Sequence, residues 1–228
     1  MHLPSSSSIC IRSKDVRKLI PSGLMAIMAI VAMPMTASAD LVNQLVPSWA
    51  GSSVSSSGTW NSFSNAFGAP NFSDNPQFSL TNTSSPAALI TGTGNIYDPA
   101  APLNVSIAAN TAPADAIVLN IATMGTELGF VELNIFGAGG ESANFSADAS
   151  YTRFYQTVPG FGSIATHAFS WTNIFDKVGF AIDSYAISFR GTAPHMSLDA
   201  VSIYTAVPGP GAIALLGLAG VSARRRRN

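Results

Sequence analysis

The sequence has very little cysteine and very few basic residues away from its two ends. Its one cysteine, Cys10, has no apolar run before it, which argues against a lipoprotein acylation site and excludes a disulfide within the rest of the 228-residue chain. Between Asp40 and Val207 there are three basic and eleven acidic side chains, a formal charge of −8. A domain with this charge repels phosphate backbones, so nucleic acid is excluded as an expected partner.

The common catalytic motifs are also absent from the sequence. No His-Glu-x-x-His, Gly-x-Ser-x-Gly or phosphate-loop pattern occurs. The two histidines of the central region, His167 and His195, have no cysteine beside them, and we expect neither to be catalytic. The sequence therefore predicts no catalytic residue, no cofactor and a protein that is not an enzyme.

The N-terminal residues 1–39 follow the order of a secretory signal peptide. A basic stretch leads into an apolar run from Leu19 to Met35. Ala37 and Ala39 then supply small side chains at the two positions that a signal peptidase accommodates, so we predict cleavage before Asp40. An uncleaved anchor helix is the alternative, but the short apolar run and the Ala-x-Ala site both argue against it.

The C-terminal residues 207–228 contain three parts in a fixed order. Residues 207–211, Val-Pro-Gly-Pro-Gly, are predicted to be stiff and extended because their two prolines fix φ and lack an amide proton. Residues 212–223 are apolar and would form a helix of ~18 Å, shorter than the ~30 Å hydrocarbon core. Four arginines follow, which should stay on the cytoplasmic side of the inner membrane. The tail therefore predicts transient membrane retention, with a plain C-terminal anchor as the alternative.

This tail resembles the PEP-CTERM family of sorting signals, in which a Val-Pro-x-Pro box precedes a short apolar helix and an arginine cluster. The usual third residue of the box is glutamate, whereas here it is glycine. The resemblance implies recognition by an exosortase, a membrane-embedded cysteine protease-like transpeptidase, and delivery to the surface or extracellular polymer matrix of a Gram-negative bacterium. The sorting residues that it implies are Val207, Pro208, Gly209, Pro210, Arg224, Arg225, Arg226 and Arg227.

Residues 40–206 are predicted to form one all-β extracellular domain, an antiparallel β-sandwich between the signal helix and the short membrane helix. Residues 40–85 are rich in Ser, Asn, Gly and Pro but contain several aromatics, which favours short strands with long loops. Further along, apolar and polar residues alternate as in half-buried strands, whereas residues 116–121 are almost continuously apolar, as in a strand buried on both faces. The alternating segments are 103–107, 131–135, 184–190 and 196–204.

The last of these segments, residues 196–204, has an irregular pattern. Its apolar phase slips between Ala200 and Val201, which predicts a bulge or burial on both faces. Its Ser-Leu-Asp-Ala-Val-Ser-Ile-Tyr ending resembles the last strand of jelly-roll domains in sorted surface proteins, which implies a jelly-roll-like sandwich.

Carboxylates are the only polar groups abundant enough to form a site. A glycosidase would need two of them ~5–10 Å apart, but the sequence does not show which acids meet. A structural Ca²⁺ would take carboxylate and carbonyl oxygens, and Asp183 and Asp199 are the better candidates because both border late strands. Solvated acids that keep the domain soluble are the simpler interpretation. The acids considered are Asp115, Glu127, Glu132, Glu141, Asp148, Asp176, Asp183 and Asp199.

Two classes of function remain open. The favoured one is a non-enzymatic surface or matrix protein that associates with exopolysaccharide, with signal peptidase and an exosortase-type protease as partners during export. The alternative is a carbohydrate-binding module or carbohydrate-acting enzyme with an exposed aromatic platform, because flat rings stack on the apolar faces of sugars. The candidate aromatics, most of which a simpler interpretation places in the core, are Trp49, Trp60, Trp171, Tyr151 and Tyr155.

Overall fold

The computed structural model describes residues 41–111 and 113–207. The predicted cleavage site at Ala37, Ala39 and Asp40 and the sorting residues from Pro208 onwards lie outside these described residues. No helix in the described part of the chain is long and apolar enough to cross a membrane.

In chain order the elements of the domain are β1 (Ser55–Trp60), β2 (Asn71–Phe72), β3 (Phe78–Asn82), β4 (Leu89–Ile90), β5 (Ile96–Asp98), β6 (Asn104–Ala109), β7 (Ala116–Gly125), β8 (Leu128–Gly137), β9 (Ser142–Ser146), β10 (Ala149–Val158), β11 (Gly162–Trp171), α1 (Ile174–Lys177), β12 (Ile182–Gly191) and β13 (Met196–Ala206).

The strands form two antiparallel sheets, as the sequence predicted. Sheet A has the order β10-β11-β7-β13-β5-β4, with β1 also paired to β13. Sheet B has the order β2-β3-β6-β12-β8-β9. The chain crosses repeatedly between the sheets, for example at β5–β6, β6–β7, β7–β8, β11–β12 and β12–β13, so the two sheets are built from interleaved parts of the sequence. The domain is an all-β sandwich.

The core contains side chains of both sheets. Apolar residues that alternate along β6, β8 and β12 of sheet B meet those of β7 and β13 of sheet A. Burying each such side chain contributes about 1.5–3 kcal/mol relative to exposure, which a domain without disulfides requires. The apolar positions that the alternation predicted and that are buried here are Leu103, Val105, Ile107, Leu133, Ile135, Tyr185, Ile187 and Phe189.

Strand β7 is buried on both faces, which confirms the prediction from its continuous apolar run. One face carries Ile117, Leu119 and Ile121 into the core. The chain segment before β1 covers the opposite face. There the Asn120 side chain accepts a hydrogen bond from the Leu45 N–H at 2.7 Å and donates one to the Leu45 carbonyl at 3.1 Å. A polar residue is therefore tolerated in the middle of this buried strand because its amide is paired with backbone.

The irregularity predicted in β13 lies slightly earlier than the sequence indicated. Leu198 pairs with Thr123 and Ala200 pairs with Ala122, so Asp199 is the extra residue of the bulge. The slip predicted between Ala200 and Val201 is thus the consequence of a bulge just before Ala200. A bulge re-aims the side chain of its extra residue, and this one determines where Asp199 points.

The first residue of the C-terminal box, Val207, is joined to the domain. Val207 was expected in an extended linker outside the domain, but its N–H donates to the Val54 carbonyl at 3.0 Å and its side chain is half-buried. The pairing of β1 with β13 therefore continues to this residue.

Candidate functional site

A groove of about 1030 Å³ lies at one end of sheet A. At this end β7 finishes and β11 and β13 begin, with Gly125 paired to both Ser163 and Met196. The residue before β5, the connection after β7, the hairpin between β10 and β11 and the connection before β13 surround the groove. Residues from distant parts of the sequence are therefore brought to one place.

Two glycines allow the backbone segments around the groove to approach each other closely. Gly125 has φ of 98° and Gly162 has φ of 94°, a region that favours glycine. A Cβ on Gly125 would lie 2.1 Å from the carbonyl oxygen of His195, and a Cβ on Gly162 would lie 2.2 Å from that of Gly125. Any larger residue would push the ends of β7, β11 and β13 apart.

Asn95 and Asp199 form a partly buried polar contact in the groove. The Asn95 Nδ2 donates to Asp199 Oδ1 at 2.7 Å, and the Ser197 hydroxyl donates to the same oxygen at 2.8 Å. Burial raises the pKa of the Asp199 carboxyl to about 6, although the hydrogen bond from Ser197 works to lower it. Asn95 is only 6% exposed, and its Oδ1 has no hydrogen-bond partner among the described residues. The groove therefore contains a buried acceptor to which no described group donates.

A second polar contact lies beside this pair. The Tyr97 hydroxyl and His195 Nδ1 are 2.7 Å apart, and their ring centroids are 6.1 Å apart at a tilted angle. The backbone N–H of His195 donates to the Asp98 carbonyl at 2.9 Å, and its φ of 69° is left-handed. His195 thus lies in a tight turn, where it is exposed and lines the groove.

Glu127 and two aromatic residues line the remaining part of the groove. The Tyr155 hydroxyl donates to Glu127 Oε1 at 3.3 Å. The backbone carbonyl of Glu127 accepts bonds from both the N–H and the hydroxyl of Thr192, each at 2.9 Å, which fixes its position. Tyr155 is 51% exposed and Phe161, in the β10–β11 hairpin, is 69% exposed. Both rings are therefore available to a ligand.

The carboxyl of Asp98 supports the β5 side of the groove from within the fold. It accepts bonds from the hydroxyls of Ser84 and Ser85 and from the backbone N–H groups of Ala100 and Ala101, at 2.7–3.0 Å. Burial works to raise its pKa, but these bonds together lower it below the usual value. Asp98 is thus a buried structural carboxylate.

The aromatic platform considered from the sequence does not form. Trp60 and Trp171 are core residues whose Nε1 groups donate to backbone carbonyls, and Trp49 is half-buried. Tyr151 is 48% exposed, but it pairs with Ala168, whereas Tyr155 pairs with Ala165. Directly opposite residues share a sheet face, and positions 165 and 168 lie on opposite faces of regular β11. The bulge at Arg153 therefore separates the two tyrosines.

The two calcium candidates lie in different sheets. Asp183 is exposed near the start of β12 in sheet B, whereas Asp199 lies in the bulge of β13 in sheet A. Within the described part of the chain, no group of three or more His, Cys, Asp or Glu side chains is placed to hold a metal ion.

Several other predicted acids serve local structure. Asp148 forms an ion pair with Lys177 at 2.5 Å, and Asp115 accepts the N–H of Phe175 at the start of α1. His167 lies in β11 outside the groove, and burial lowers its pKa against an opposing effect of the Glu127 charge. Of the acids considered from the sequence, Glu127 and Asp199 are the two that line the groove.

Asn95, Tyr97 and Phe161 are among the groove residues that sequence reasoning missed. Asn95 precedes the short strand β5 and Tyr97 lies within it, and the three residues of this strand are too few for a clear alternation. Phe161 lies between Gly160 and Gly162, and an apolar aromatic in a glycine turn is the one signal that could have indicated an exposed contact residue.

Comparisons with known proteins do not assign a family. No family model matches the chain, and no curated protein gives a significant match. One similar solved structure is the enzymatically active domain of tailspike protein 4 of bacteriophage CBA120, with 10% identity and a TM-score of 0.28 over 75% of this chain and 22% of that chain. Another, described as "BiXyn10A CBM1 APO", has 13% identity and a TM-score of 0.23 over 72% of this chain and 98% of that chain. TM-scores this low carry no assignment of function.

Proposed function

We propose that the chain is an exported, non-enzymatic surface or extracellular-matrix protein whose β-sandwich binds a polysaccharide of that matrix. The observation that carries this proposal is the groove at the end of sheet A, with exposed aromatic rings and buried polar groups on its walls. Its volume of about 1030 Å³ suits a short oligosaccharide segment. Phe161 and Tyr155 can stack on apolar sugar faces, while Asn95 and Asp199 offer hydrogen bonds to the polar substituents.

The export and sorting parts of the proposal depend on the two ends of the sequence. A signal peptidase would cleave before Asp40, and an exosortase would act on the box that begins at Val207. Strand β13 ends at Ala206, so the box follows directly on the last strand of the domain. This position supports the proposal, because a sorting signal has to follow the folded domain that it anchors.

We also infer that the sandwich is a jelly roll. Strands β5, β13, β7 and β11 are neighbours in sheet A, and β6, β12, β8 and β9 are neighbours in sheet B. Counted along the chain, successive strands from β5 to β8 alternate between the sheets, and the later strands return to pair with them. This order supports a jelly roll to which β10 is added as an edge strand.

The binding proposal is tested with the exported protein and polysaccharide purified from the matrix of the producing cells. Replacing Phe161 or Tyr155 with alanine should weaken binding about tenfold, because each loses a stacking surface. Tyr151→Ala is the matched control, since it removes a tyrosine of similar exposure from the opposite sheet face. Unchanged binding by both groove variants, or an equal loss in the control, would contradict the proposal.

A carbohydrate-acting enzyme is the second candidate, and one observation favours it. Glu127 and Asp199 line the same groove, and burial raises the pKa of Asp199 to about 6. A carboxyl with a raised pKa in the same cleft as a second carboxyl group is the arrangement that glycosidases use. The test is the release of reducing ends from the same polysaccharide. Activity that is lost in both Glu127→Gln and Asp199→Asn would favour this candidate over simple binding.

A further inference from the structure

Four of the hydroxyl donors around the groove are occupied by bonds within the protein. Thr126 donates to the Ala193 carbonyl and Thr192 to the Glu127 carbonyl, at 3.1 and 2.9 Å. Ser197 donates to Asp199 at 2.8 Å, and Tyr155 donates to Glu127 at 3.3 Å. A ligand therefore meets few free donors from these four side chains.

The acceptors of the groove, by contrast, have spare capacity. The Oδ1 of Asn95 is buried and has no partner among the described residues. The Asp199 carboxylate takes its two bonds from protein groups through Oδ1, and a carboxylate has about four acceptor positions. The Glu127 carboxylate takes one long bond from Tyr155. The groove is therefore suited to a ligand that donates hydrogen bonds more than it accepts them.

The negative charge of the groove also favours a ligand that donates hydrogen bonds. Two carboxylates line it, and none of the lining side chains in the described part of the chain is a lysine or arginine. The residues between Asp40 and Val207 carry a formal charge of −8. Uronic acid or sulfated sugars would be repelled, whereas a cationic ligand would be attracted.

An ammonium group fits these requirements better than a hydroxyl or an acetamido group does. It has three N–H donors and no acceptor. A hydroxyl both donates and accepts, and an acetamido group presents a carbonyl oxygen that the two carboxylates of the groove cannot bond. Hydrogen bonds between an ammonium and a carboxylate are also about twice as strong as neutral ones.

We propose that the groove selects an amino sugar with a free, protonated amine, whose ammonium group is held by Asn95 Oδ1 and the Asp199 carboxylate. This specificity rests on the proposed function, because it assumes that the groove binds a polysaccharide. The polysaccharide would be one whose hexosamine units are at least partly without acetyl groups. Asp199 and Asn95 are then the residues that determine specificity, while Phe161 and Tyr155 supply stacking that any pyranose ring could use.

The experiment compares three linear hexamers with the same linkage by titration calorimetry on the exported protein near neutral pH. The probes are β-1,4-linked hexamers of glucosamine, N-acetylglucosamine and glucose. We expect the glucosamine hexamer to bind at least about tenfold more tightly than the other two. Its affinity should fall as salt is added, because an ion pair is screened.

Two variants assign the preference to the named residues. Asp199→Asn keeps the shape of the side chain but removes its charge, and we expect it to remove most of the preference for the glucosamine hexamer over the glucose and N-acetylglucosamine hexamers. Asp183→Asn is the matched control, with the same change of charge at an exposed site in sheet B, and it should keep the preference. Equal binding of the three hexamers, or an equal effect of both variants, would overturn the amine specificity and leave the binding function standing. Failure of all hexamers and of the matrix polysaccharide to bind would overturn both.

Discussion

The side-chain amide of Asn95 donates to the carboxylate of Asp199 across 2.7 Å and joins positions 104 residues apart in the chain. The contact exists because a bulge in β13 aims Asp199 toward the residue that precedes β5. It combines a carboxylate that burial makes harder to ionise with an amide whose own oxygen has no partner among the described residues. Both features lower the free energy of unfolding. Polar groups that lower stability in this way are typical of ligand-binding sites.

Replacing Asp199 with asparagine should stabilise the protein at neutral pH. The folded-state pKa, about 6, lies above the ordinary value of 3.8, so the folded state holds the proton more tightly. Stability linked to this group is fully present below 3.8 and is lost as pH rises through about 6. Asn cannot ionise, so Asp199→Asn should gain up to about 3 kcal/mol in the free energy of unfolding above that range. The gain should vanish in acid.

This gain is measured as the difference between wild type and variant in urea unfolding across the pH range. Asp183→Asn, at an exposed position, provides the baseline for a surface acid. A variant that is less stable than wild type at neutral pH would show that burial of the ionised Asp199 carboxylate does not destabilise the fold.

Replacing Asp98 with asparagine should have the opposite effect. The Asp98 carboxylate accepts four hydrogen bonds, and its pKa is below the usual value although burial alone would raise it. The stability that the Asp98 carboxylate contributes is fully present above the pKa of the unfolded state. It is lost as the pH falls through the lower pKa of the folded state. We expect Asp98→Asn to lower the free energy of unfolding by about 2–4 kcal/mol at neutral pH and by less in acid. Thermal unfolding at several pH values tests this, and a loss that grows toward acid would be the contrary result.

Alanine at Gly125 should damage both the fold and the groove. Its Cβ would lie 2.1 Å from the backbone carbonyl oxygen of His195, which cannot move as the end of a flexible side chain could. The φ of 98° adds strain for any residue with a Cβ. We expect a loss of at least about 2 kcal/mol in stability and weaker polysaccharide binding. Gly160→Ala is the control, because it has φ of 79° but no atom within 4 Å of the added Cβ. Equal losses for the two variants would show that strain, and not close packing, is responsible.

Strands β6, β7, β8, β12 and β13 were predictable from the sequence, whereas strand β10 and the groove were not. Strands β6, β8 and β12 each have one buried face, so buried residues such as Ile107, Leu133 and Ile187 recur at every second position. This two-residue period is visible in the sequence. The groove depends on which strands pair and where bulges fall. Tyr151 and Tyr155 are four residues apart and would share a face in a regular strand, but one extra residue at Arg153 separates them. A bulge of this kind leaves no clear pattern in sequence.

The same limit applies to Asn95 and Asp199. The sequence indicated that the apolar pattern of the last strand is irregular at Ala200, and the bulge at Asp199 lies one residue earlier. Asp199 was expected at the border of that strand, but it lies within β13. Its partner could not be predicted, because no local pattern links positions 104 residues apart. Only the sheet order, with β5 beside β13, brings them together.

The arginine cluster should determine whether the tail is processed. Residues 212–223 would form a helix too short to span the hydrocarbon core, so under the proposed sorting we expect retention during export to depend on the charges of Arg224, Arg225, Arg226 and Arg227 remaining in the cytoplasm. Replacing all four with glutamine should let the precursor pass through the membrane, and the released protein should then keep its C-terminus. The measurement is the C-terminal peptide of surface-released protein by mass spectrometry, for wild type and variant in the same host.

Wild-type protein should end near Pro208 and begin at Asp40, and in a strain without the sorting protease it should remain in the membrane with an intact tail. Arg153→Gln is a control for the loss of positive charge as such, because Arg153 lies in β10 of the folded domain, where its side chain bonds to the Asn43 carbonyl at 2.9 Å. It should be processed like wild type. Correctly sorted wild-type protein that still ends in Asn228 would reject sorting by proteolysis and favour a plain C-terminal anchor. Release that depends on the arginines but not on the protease would show that the charges act in retention alone.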